Sequence, residues 1–210
     1  MKYFLKSLIV LMCLNVAQCL SQNEDLESKL DCLSDVENEY LGQLYSIFEK
    51  KLIEKYGERE LHELIYDYVN NFSERKVNSS FFKSFRIDTA AEEFHRLFIK
   101  NSELPEEDGL DIELIQMDYE DIDKTNTSNQ DYYRINSNST YISCILQQKT
   151  ENEEIDALLF DTFTIGNISP TIIAGAISMF FTQNECKKPF LQIGIMLELF
   201  VLPSLYWQSR

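Results

Sequence analysis

Two stretches near the C-terminus, Thr171–Gln183 (TIIAGAISMFFTQ) and Phe190–Trp207 (FLQIGIMLELFVLPSLYW), decide the fold. The first has no charged residue and the second has only Glu198. Ser169-Pro170 opens the first as a helix, with Ser at the cap and Pro in the first turn, where its missing N–H costs nothing. Asn184–Lys188 is a polar break that contains Cys186, and Pro189 opens the second stretch. A helix that spans a bilayer needs about 20 apolar residues, so Thr171–Gln183 is too short. Phe190–Trp207 is long enough, but Glu198 sits near its middle and Pro203 interrupts it. Helices that are apolar all round are core helices in soluble proteins, so the pair reads as the central hairpin of a helical bundle. The competing reading is membrane contact through this C-terminal apolar segment, as an anchor or as a hairpin that emerges into lipid. Ala174, Gly175, Ala176 and Ser178 would let helices pack closely in either solvent. Glu198 and the polar Gln208-Ser209-Arg210 end do not fit a lipid-anchor signal.

Working upstream, the N-terminal half is amphipathic. Leu26, Leu30 and Leu33 recur at helical spacing. Ser34-Asp35-Val36-Glu37 is a capping box, in which hydroxyl and carboxylate satisfy free amides at a helix start. Leu41, Leu44, Tyr45, Phe48, Leu52 and Tyr56 follow at i, i+3, i+4 and i+7, and Gly57 stands where a helix ends. A second stripe runs through Leu61, Leu64, Ile65, Tyr68 and Phe72. Asp88-Thr89 followed by Glu92 predicts a third helix, with Ala90, Ala91, Phe94, Leu97 and Phe98 on its inner face. Helices are therefore expected at about 35–56, 58–72 and 88–100, wrapped around the apolar pair.

Between these halves lies an acidic loop segment at about 105–130. Few hydrophobes interrupt its carboxylates, so it reads as exposed. Tyr132–Ile135 and Thr140–Leu146 have the Tyr, Ile and Thr content of strands around a polar turn, which gives a small β-hairpin near 132–146. A helix over Tyr141–Gln148 is the alternative. The fold class expected is mainly α, in a single domain over 20–210.

The first residues place the chain in the secretory pathway. Lys2 and Lys6 precede an uncharged run, Ser7–Ala17, of signal-sequence length. Residues 1–19 read as a signal peptide, with Ala17 at the −3 position of a cut after Cys19; a cut after Ser21 is the other choice, and an uncleaved anchor the third. Five sequons follow. Asn71, Asn78, Asn126 and Asn138 are taken as glycosylation sites; Asn167 is set apart because Pro170 follows it in apolar sequence. The localisation expected is secreted, as an extracellular glycoprotein.

Removal of 19 residues leaves Cys32, Cys144 and Cys186. An odd number in an oxidising compartment implies one bridge and one remaining thiol. Cys144–Cys186 is the pair expected within the chain, with Cys32 free or intermolecular. The formal charge is −16, and −18 once Lys2 and Lys6 leave. Such a chain repels nucleic acid and anionic membrane surfaces.

No local motif carries chemistry. The Asp111–Asp123 run lacks the glycine and spacing of a calcium-binding loop and reads as solvated acid. His62 and His95 lie on separate helices, outside any ligand pair, so neither a metal nor another cofactor is indicated. GxSxG, P-loop and dinucleotide patterns are absent, and six glycines leave little material for phosphate-binding loops. No catalytic residue is assigned, although catalytic groups distant in sequence would escape this reading. Tyr119, Tyr132 and Tyr133 stand in polar sequence, and exposed tyrosine is a common interface anchor. The function expected is binding of an extracellular protein partner; the alternative is a lipid-binding or membrane-inserting helical protein.

Overall fold

The computed structural model describes residues 29–100, 132–165 and 168–209. The signal segment, the acidic loop with Asp111–Asp123, and Tyr119, Asn126 and Asn167 lie outside these residues.

The mainly helical class is as the sequence predicts. Helix α1, Asp35–Tyr56, starts on the capping box: Ser34 Oγ accepts from the Glu37 amide and Glu37 accepts from the Ser34 amide at 2.8 Å. It stops at Gly57, whose φ of +85° is open to glycine at no steric cost. Helix α2, Leu61–Ser73, turns back against α1. A single turn, α3 (Ser80–Lys83), sets Phe81 and Phe82 in the core.

The third predicted helix is shorter than its sequence pattern. Asp88 Oδ1 accepts from the Ala90 amide at 2.9 Å and so caps a turn rather than a helix. Helix α4 covers only Glu92–Leu97, and Phe98–Lys100 leave as strand β1. Tyr133–Ile135 is strand β2, as expected at that position, but its partner is β1, antiparallel, with Phe98 opposite Ile135 and Lys100 opposite Tyr133. Thr140–Gln147 is helix α5, not the second arm of a hairpin. Ser139 decides this: its side chain accepts from the Ile142 amide at 3.3 Å and starts a helix whose Tyr141, Ile142, Cys144 and Ile145 are buried.

Helix α6, Glu153–Ile165, and helix α7, Pro170–Phe180, pack together, and α7 lies chiefly against α2. A 3₁₀ turn, Glu185–Lys187, leads to the last helix. Its segments are α8 (Pro189–Met196), a π turn (Leu197–Val201) and α9 (Leu202–Gln208). Of the two apolar stretches, this one is the spine: the most apolar window of Pro189–Gln208 is 83% buried inside the protein. Phe200 is its centre, with ring centroids of Phe48, Phe81 and Phe85 at 5.2, 5.8 and 6.0 Å. Edge-on and offset ring pairs of this kind add to the burial of their area. Gln192, polar within the spine, is satisfied on both sides, accepting from the Tyr45 hydroxyl and donating to the Cys186 carbonyl at 2.6 Å.

Candidate interaction surface

Helix α7 is apolar on two faces and buries one. Ile173, Ala174 and Ile177 face the core. Ile172 and Met179, at i and i+7, are 53% and 75% exposed, and Phe180 is 37% exposed. Ala176 lies half-buried between them on the same outer stripe. A Cβ added at Gly175 would meet nothing within 4 Å, so space is open above that backbone as well. On the neighbouring α6, Leu159 and Phe163 turn inward and pack beside Gly194, while Phe160 is 56% exposed. The chemistry around this surface is one-signed on α6, which carries Glu153, Glu154, Asp156 and Asp161 and no basic residue. The sequence pattern marked Thr171–Gln183 as core throughout. The correction arises because this helix packs against α2, α6 and the π turn of the last helix, and these neighbours leave Ile172, Met179 and Phe180 exposed among the described residues.

Other predicted site residues are dispersed. Tyr133 is half-buried: its ring meets Phe94 edge-on at 4.9 Å and takes Lys100 Nζ at 6.0 Å, so it is packing material of the small sheet. Tyr132 is half-buried beside it. Asn78 and Asn138 are exposed, each in non-helical chain. Asn71 lies in the last turn of α2, where its Nδ2 donates to the Asp67 carbonyl at 2.8 Å. His62 is half-buried on α2, and His95 is exposed, edge-on to Phe94 at 5.4 Å. Among the described residues, no three His, Cys, Asp or Glu side chains gather as a metal site would require.

The disulfide joins Cys32 to Cys144, with Cα atoms 5.6 Å apart, and Cys186 is the buried free thiol. This corrects the expected Cys144–Cys186 pair and the free or intermolecular Cys32. The physical reason is placement. Helix α5 brings Cys144 to the start of α1, while Cys186 is held in the 3₁₀ turn whose carbonyl Gln192 binds. Burial pushes the Cys186 thiol up to about 12, so it has no thiolate character at neutral pH.

Beside the bridge lies a polar network that sequence reasoning missed. Thr140 donates to Glu37, tying the starts of α5 and α1 together. Tyr141 donates to Glu93 within the core, and Arg96 approaches the other Glu93 oxygen at 3.4 Å. Burial works to raise the Glu37 carboxyl, but the Thr140 hydroxyl and the Ser34 amide and hydroxyl outweigh it and hold Glu37 below the usual range. Burial first, and the neighbouring Glu93 second, push the Tyr141 phenol upward. Each of these polar groups is matched to another protein group, which is the pattern of a structural clasp.

Glu198 is different. It is buried in the π turn, has no hydrogen-bond or ion-pair partner among the described residues, and burial raises it to about 8. No protein-family model, curated protein or solved structure matches the chain.

Proposed function

We propose that this is an extracellular interaction protein that docks on a protein partner through the outer face of α7. The exposure of Ile172, Met179 and Phe180 on a helix with no charged residue is the observation that carries the reading. Isolated exposed hydrophobes are ordinary, but a run of them along one helix stripe, with Phe160 on the adjacent helix, is the composition of an interface centre. The acidic α6 gives the partner its chemistry: an apolar groove bordered by Lys or Arg. Gly175 lets the partner's backbone approach closely. The signal sequence and the sequons support the extracellular setting and keep the protein as a secreted glycoprotein in this reading.

The lipid alternative draws on the same exposed stripe. The acidic surroundings favour a cationic protein over an anionic bilayer, since like charges repel. Insertion of the long C-terminal helix would require Phe200 and its aromatic neighbours to leave the core.

The test places a photo-crosslinker at position 179 of the full secreted chain. The expected result is one crosslinked protein partner, lost in Ile172→Glu, with secretion and helical circular dichroism unchanged. Flotation of the protein with phosphatidylcholine vesicles, and no crosslinked protein, would replace this reading with the lipid one.

A further inference from the structure

The chain after α3 folds back on the last helix and forms an open surface groove of about 410 Å³, lined by Lys83, Ser84, Phe85, Arg86, Trp207 and Gln208. Two of its walls are held in place. The Gln208 carboxamide accepts from the Ile87 amide at 2.8 Å and donates to the Ile87 carbonyl at 2.9 Å, clipping loop to helix. Phe85 stacks on Phe200 at 6.0 Å and is held by the core. Lys83 Nζ stands 4.2 Å from the Trp207 ring centroid. In a chain of net charge −16, this spot is cationic. Ion pairs elsewhere, such as Arg59–Asp67 and Arg96–Glu92, do not involve Lys83 or Arg86, and neither has a carboxylate within reach among the described residues. Asp88, the nearest acid in sequence, is turned to the Ala90 amide.

We propose that this groove binds an amphiphilic organic anion. The acidic head lies on the Arg86 guanidinium, whose planar fork matches a carboxylate or phosphate, with Lys83 as the second cation. The apolar body lies along Phe85 and Trp207. The volume falls in the range of small-molecule sites, about 300–1,000 Å³. Lys83 is already poised over an aromatic face, so the ligand meets a preset charge rather than a free side chain. This site is separate from the α7 surface and stands or falls independently of it.

Trp207 is the single tryptophan of the chain, so its fluorescence reports on this groove alone. The full secreted chain is titrated with 4-phenylbutyrate and with phenyl phosphate at constant ionic strength, using 4-phenylbutyramide and inorganic sulfate as controls. The expected result is a saturable change with at least one of the two amphiphilic anions, the tighter one identifying the head group. Affinity is at least about tenfold weaker for the amide, for sulfate, and in Arg86→Gln or Lys83→Gln, the ratio expected from loss of a charge-assisted hydrogen bond. Lys83 and Arg86 are exposed, so both variants keep the fold. No saturable change with either anion, an equal response to the amide, equal binding of sulfate alone, or unchanged affinity in both variants would overturn the proposal.

Discussion

The hydroxyl of Tyr68 donates to the main-chain carbonyl of Leu199. Pro203, four residues beyond Leu199, has no N–H to give that carbonyl, and the helix passes through a π turn just before it. Tyr68 is fully buried on α2, 131 residues away in sequence, and supplies a donor to that carbonyl. Tyr68→Phe is expected to cost about 1–3 kcal/mol in urea unfolding, because a buried carbonyl loses its partner. In a Pro203→Ala background the same change costs less, since alanine at that position brings an N–H to the carbonyl. Additive costs in that double-mutant cycle would refute the pairing.

Two other tyrosines separate satisfied from unsatisfied burial. The Tyr40 hydroxyl is buried with no hydrogen-bond partner among the described residues, whereas Tyr141 donates to Glu93. Tyr40→Phe is expected to be neutral or stabilising by up to about 1 kcal/mol, and Tyr141→Phe to destabilise by about 1–3 kcal/mol, since it removes the donor to one oxygen of a buried carboxylate. Equal effects of the two substitutions on the unfolding midpoint would contradict this assignment.

Glu198 makes stability depend on pH. Its folded pKa, about 8, lies above the 4.5 of a free carboxyl, so between these values the folded state holds a proton that the unfolded state has lost. Stability therefore falls as pH rises through that window. At neutral pH and above, Glu198→Gln is expected to be more stable than the parent by up to about 4 kcal/mol, and the difference shrinks towards about pH 5. Thermal melts of both proteins across this range check the sign; parallel pH profiles would remove the effect from Glu198.

The bridge and the free thiol differ in what they hold. Cys32–Cys144 closes a sequence separation of 112 residues, so Cys32→Ser is expected to cost about 2–5 kcal/mol. Peptide mapping without reduction should recover the Cys32 and Cys144 peptides linked. Under native conditions Cys186 should resist maleimide and react only on unfolding, because it is 1% exposed. Rapid native labelling of Cys186 would place it elsewhere.

The α7 surface has a stability signature distinct from the binding role proposed for it. Gly175→Ala is expected to stabilise the protein by about 0.5–1 kcal/mol, since glycine disfavours a helix interior and the new methyl meets no neighbour. Gly175→Trp should leave the fold intact and block crosslinking from position 179. Loss of stability in Gly175→Ala would mean that this face is covered within the protein itself.

How much was legible varies by element. Asp35–Tyr56 was readable because cap, stripe and terminal glycine agree, so every local preference points to one structure. Thr140–Gln147 was ambiguous because Tyr, Ile and Thr fit a strand, and the Ser139 cap outweighed that preference only once a hydrophobic face had a core to enter. Exposure differs from the sequence pattern for a related reason. Tyr133 in polar sequence resembles an exposed anchor, yet α4 brings Phe94 beneath it. Ile172 and Met179 in an uncharged run resemble core, yet one face of their helix is left uncovered among the described residues.

The sequence by itself determined the mainly helical class, the starts of α1 and α7, and the apolar spine, because periodicity, caps and burial of continuous hydrophobes act within a few residues or on composition alone. Only the tertiary structure decided which cysteine Cys144 meets, which strand Tyr133–Ile135 joins, which face of α7 stays open among the described residues, and that Tyr68 reaches the Leu199 carbonyl. These are contacts between residues far apart in sequence. Local preference carries no information about them until the chain closes on itself and brings the partners within bonding distance.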